Sequence, residues 1–165
     1  MSTGNENEDI AKELDEILNL YNQKLKNQIK EADEQEQHAF LEKFERIKVE
    51  VIKPMMVKIG KYMEKKGHAY QIKDETTIYH DNPSLKMEIY PKTSPDFPIQ
   101  EHEFPRITFI AEPDIGEIGI EVRDGMPGRP GLTRGHVIDL ESLTEEYVKG
   151  QIVYLVKRNF GKIAI

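Results

Sequence analysis

The chain has 165 residues, of which 38% are apolar and 32% charged, with a net charge of −7 and a mean hydropathy of −0.63. It contains no cysteine, which excludes disulfides, thiolate metal sites and a cysteine nucleophile. This length holds one modest domain plus an extension, and the acidic surplus disfavours general adhesion to nucleic acid.

The charge is uneven along the chain. Residues 1–37 carry 10 acidic and 4 basic side chains, residues 38–67 carry 4 and 8, and residues 68–165 carry 16 and 11. The first nine residues are polar and lack the apolar centre of a signal peptide. Apolar runs such as Ile152 to Val156 fall far short of the ~18 residues of a membrane span. A cytoplasmic protein without membrane contact is expected, with residues 1–7 as a disordered tail.

From Glu8 to about Lys66 the sequence reads as helix. Residues 8–53 hold no Gly or Pro and are rich in strong helix formers. Ile10, Leu14, Leu18, Tyr21, Leu25 and Ile29 form one apolar stripe, and Phe40, Phe44, Ile47, Val51, Met55 and Tyr62 form a second. Both repeat at eleven residues, close to the period of an unstrained helix. Between them, Lys30 to Gln37 carries no large apolar residue. That gap lacks the Gly, Asn or Pro of a tight helical hairpin, so a continuous helix is favoured over a fold-back. A helix over 8–52 would be about 68 Å long, more than a small domain can cover. The stripe therefore calls for a second chain, as in a coiled-coil homodimer; in a hairpin it would pack on its own chain instead. Pro54 predicts a kink or restart. Met55, Ile59, Tyr62 and Met63 are then the expected buried side of a short second helix, ended by Glu64-Lys65-Lys66-Gly67.

After Gly67 the period changes to two. His68 to Lys73 and Thr76 to His80 are strand candidates separated by Asp74-Glu75, and Asp81 to Ser84 is a turn. Leu85, Met87 and Ile89 alternate with Lys86, Glu88 and Tyr90, which predicts a half-buried strand. Four prolines make 91–105 a loop. Arg106 to Ala111 reads as a central strand and Ile118, Ile120 and Val122 as the next. Asp124 to Gly135 is a Gly/Pro-rich loop, followed by a short strand at His136 to Asp139. A helix from about Leu143 to Asn159 closes the chain, opened by a capping-box pattern at Ser142 and Glu145. The expected class is α+β: a long helical region over 8–53, then a two-layer domain over 54–165 with a sheet of four to six antiparallel strands and helices on one face. With Tyr90-Pro91 and Pro95 or Pro98 between strands, this order is similar in outline to RWD-type domains. It is also similar to bacterial type III secretion chaperones, apart from their middle helix. The likeness is one of topology over the α+β half.

Chemistry is sparsely signalled. His38, His68, His80, His102 and His136 show no metal-ligand spacing; His80-Asp81 and Glu101-His102-Glu103 offer at most one or two ligands each. The loop 124–136 combines four glycines with Arg129, Arg134 and His136, which makes it a candidate anion or small-molecule site; a plain long connection, its path set by the prolines and glycines, is the favoured reading. It is neither a Walker A loop nor a dinucleotide fingerprint. No nucleophile elbow occurs. Lys43, Lys48, Lys53, Lys58, Lys61, Lys65 and Lys66 read as a solvated basic helix over 43–66, with nucleic-acid contact through its phosphates as a further alternative. The expectation is a non-enzymatic assembly or adaptor protein without metal or cofactor. Its interface would be Ile10, Leu14, Leu18, Tyr21, Leu25 and Ile29, and its partners itself and a further protein.

Overall fold

The structure, a computed structural model, describes residues 3–76, 82–92, 104–125 and 133–161, with side chains from Glu6 onward and only the backbone of Thr76. Its elements are helix α1 (Thr3–Ile47), a π turn (Lys48–Ile52), helix α2 (Lys53–Lys65), five strands and helix α3 (Glu145–Phe160). The strands are β1 (Ala69–Thr76), β2 (Pro83–Tyr90), β3 (Arg106–Glu112), β4 (Glu117–Arg123) and β5 (Thr133–Ile138). They form one antiparallel sheet in chain order. The α+β class is therefore as the sequence implied.

Residues divide into two units, 1–39 and 40–165. The first is helical, and the charged stretch 30–37 continues α1 without a turn. The second contains the core. The register sets Leu85 opposite Phe109, Phe109 opposite Ile120 and Ala111 opposite Ile118. These side chains share one sheet face, where Phe44, Ile52, Met56, Val148, Ile152 and Leu155 cover them from the helices. Burying a side chain of this size contributes about 1.5–3 kcal/mol.

Several local features differ from the sequence expectation. Pro54 sits in the first turn of α2, and the break falls before it as the π turn, where the Lys53 amide donates to the Lys48 carbonyl. The wider turn adds a residue, so positions four apart stay on one side: Phe44, Lys48, Ile52, Met56 and Gly60 point at the domain. The eleven-residue pattern assumed no such insertion. Met63 is buried as expected; as a correction, the other buried methionine of α2 is Met56, Met55 and Ile59 are only partly covered, and Tyr62 is exposed. Lys48 is likewise not a solvated lysine: it is 4% exposed.

The end of α2 matches its sequence signal. Gly67 has φ 93°, the Gly67 amide donates to the Glu64 carbonyl and the His68 amide to the Met63 carbonyl, the bond pair of a Schellman cap. Strand β1 runs through Asp74 and Glu75 because each acid has a cation: Asp74 meets Lys48 at 2.9 Å and Glu75 meets Lys86 at 2.9 Å. Strand β5 starts at Thr133, earlier than expected. Ser142 belongs to a 3-10 turn (Leu140–Ser142), and the cap of α3 is Thr144, whose Oγ1 accepts the Tyr147 amide at 3.2 Å. Residues 77–81, 93–103 and 126–132, which include His80, His102 and Arg129, lie outside the described residues.

Candidate functional site

Two surfaces stand out, one in each unit. In the first, the side chains of the predicted stripe are all solvent-exposed: Ile10, Leu14, Leu18, Tyr21, Leu25 and Ile29 are between 43% and 62% exposed. Ile17 and Leu20, absent from the sequence-based set, are equally bare. Ile17 follows Ile10 by seven residues, a spacing that signals one helix face, and it widens the stripe.

In the second unit, α2 and α3 border a groove of 680 Å³. Met55, Ile59, Tyr62, Met63, Val153 and Val156 give it an apolar floor. Lys58, Lys61 and Lys65 from α2 and Lys149 and Lys157 from α3 complete its lining, with no acid among them. The groove is a consequence of the π turn: the extra residue swings Met55, Ile59 and Tyr62 away from the sheet and leaves them between the helices. Lys66 lies 5.7 Å from the centre of the Tyr62 ring, a cation–π distance that steadies that exposed aromatic.

The loop residues with an anion-site reading are engaged with protein groups. Arg134 meets Asp124 at 3.3 Å, and Arg158 of α3 bonds the same carboxylate oxygen. Asn159, buried, donates to the other Asp124 oxygen at 3.2 Å and to the Leu155 carbonyl at 2.8 Å, and accepts the Gly125 amide at 3.0 Å. Asp124, Arg158 and Asn159 thus clasp the end of β4 to α3. Sequence spacing gave no sign of this, because the partners are more than thirty residues apart. His136 Nε2 is 2.7 Å from the Tyr147 hydroxyl. The 440 Å³ hollow that His136 borders also has Glu112 and Glu121 in its wall. Arg134 and His136 share strand β5, while Arg129 is not described.

Burial raises the Tyr147 pKa above its usual value, and three charged or basic groups, Lys48, Glu88 and His68, are also held away from their usual behaviour. Burial would lower the Lys48 pKa, but Glu45 at 2.6 Å and Asp74 at 2.9 Å outweigh it and raise it above the usual value. Burial would raise the Glu88 pKa, yet the Tyr90 hydroxyl at 2.6 Å and the nearby Lys73 and Lys86 ammoniums bring it below the usual carboxyl value. His68 is lowered by burial and then by the charge of Lys92. None of the three borders the groove, and no group of His, Asp and Glu able to hold a metal ion occurs among the described residues.

No family model, curated protein or solved structure matches this chain significantly. Among the described residues no helix is long and apolar enough to cross a membrane, so the stripe on α1 is not a span. Its acids, Glu6, Glu8, Asp9, Glu13, Asp15 and Glu16, alternate with the apolar residues.

Proposed function

We propose that the protein is a non-enzymatic assembly or adaptor component that self-associates through the apolar stripe of α1. The observation that carries this is the exposure of eight large apolar side chains between Ile10 and Ile29. Full burial of such a side chain is worth about 1.5–3 kcal/mol. Covering the exposed half of eight therefore yields roughly 6–12 kcal/mol, comparable with the about 4–15 kcal/mol that association costs. The contact is thus sized for reversible self-association, with the α+β unit free to engage a further protein. Charge supports the same reading: a soluble acidic chain carries this stripe only if something shields it.

The test is the variant Leu14→Asp, Leu18→Asp, Leu25→Asp, compared with the wild type by light scattering. The expected outcome is a mass above 19.1 kDa for the wild type and the monomer mass for the variant, with the thermal unfolding of the α+β unit unchanged. Equal masses for the two proteins would defeat the proposal.

A further inference from the structure

We infer that the α2–α3 groove is the docking site for the acidic start of α1, residues Glu6 to Leu18, of a second copy of this chain. The inference rests on the self-association proposed above and names the surface that receives the stripe. Three observations carry it: the apolar floor of the groove, the five lysines around it, and the acid pattern of the α1 segment.

The groove asks for an elongated, apolar and polyanionic occupant. From Met55 to Lys65, α2 advances about 15 Å, roughly three turns of a docked helix. A single carboxylate or phosphate would meet one or two of the lysines and leave the others unneutralised. An amphipathic helix with acids beside its apolar stripe meets lysines from both bordering helices.

The segment Glu6 to Leu18 has that design. At about 100° per residue, Ile10, Leu14, Ile17 and Leu18 fall within an arc of about 100°. Glu6 and Glu13 lie just past one border of the arc, and Asp15 and Glu8 past the other; Lys12 falls on the opposite side. Farther along, Lys24 and Lys26 take the flanking positions, so the match to a lysine-rimmed groove is specific to the first part of the stripe. Stripe-on-stripe pairing of this part would bring acids together without cations, which is unfavourable. Docking in the groove reverses that sign at every flank.

The absence of native cysteine makes the test clean. Leu14→Cys and Val153→Cys chains are purified separately, mixed in equal amounts, oxidised and resolved by non-reducing electrophoresis and mass spectrometry. The expected product is predominantly the mixed 14–153 disulfide. Lys58→Glu, Lys61→Glu on the Val153→Cys chain should cut its yield severalfold, and Glu13→Lys, Asp15→Lys on the Leu14→Cys chain should restore it. A predominance of 14–14 disulfide would overturn the groove as docking site while leaving self-association standing. Absence of any disulfide dimer would overturn both. A mixed disulfide insensitive to the charge reversals would also overturn the docking, since it would mark collision rather than recognition.

Discussion

Lys48 occupies a position that the fold directs toward the core, and it keeps its charge there through Glu45 and Asp74. Both acids are about half exposed, so the desolvation burden falls on the lysine. The double change Glu45→Gln, Asp74→Asn strands that ammonium and should cost about 1–3 kcal/mol in urea unfolding. Lys48→Met, similar in length and apolar, should be neutral or stabilising, because it removes the buried charge together with its need for partners. Equal losses from the two changes would contradict this account. His68 makes a separate prediction. Its Nδ1 accepts the Lys92 amide at 2.9 Å and its ring packs edge-on to Phe160 at 4.8 Å. Because the folded state binds the His68 proton more weakly than the unfolded state, protonation favours unfolding. The His68 contribution is complete above pH of about 6.5 and is lost as pH falls below it. His68→Asn should flatten the fall in stability between about pH 7 and 5.5; an unchanged slope would contradict the assignment. Glu88, also lowered, acts in a different window: its contribution is complete above about 4.5 and is lost below that.

At the scale of elements, period-2 alternation in β2, β3 and β4 was legible from Leu85, Met87, Ile89, Ile118, Ile120 and Val122, and the structure places these strands where the pattern does. The edge strands were harder to read. β1 carries two acids whose cations come from Lys48 and Lys86, and no local pattern announces those partners. The π turn was illegible for another reason: Pro54 says that the backbone must adjust, and not how many residues the adjustment absorbs. One extra residue changed which side of α2 is buried, and with it the environment of Met55, Ile59 and Tyr62. The same rotation sets Gly60 against the sheet. A Cβ there would sit 2.5 Å from Tyr70 ring carbons. Gly60→Ala should therefore destabilise the wild type despite a helix-propensity gain of about 1 kcal/mol. In a Tyr70→Ser background the same change should be neutral or stabilising. A double-mutant cycle with no coupling would contradict the close approach.

For the whole molecule, the helix that carries the stripe was legible because a helix face needs only spacing to be seen, and α1 runs unbroken from Ile10 to Ile29. The groove was not, because its lysines and apolar floor come from two helices about ninety residues apart that meet only in the fold. In the docking proposed above, the basic central stretch of the sequence and its acidic start belong to complementary surfaces. The loop 124–136 supplied the most unusual sequence, yet its described arginine and aspartate serve to clasp β4, β5 and α3. Sedimentation equilibrium of the intact chain over a wide concentration range tests the central claim most directly. The account predicts a mass that rises from 19.1 kDa toward a multiple of it with concentration. A mass of 19.1 kDa at every concentration would contradict it.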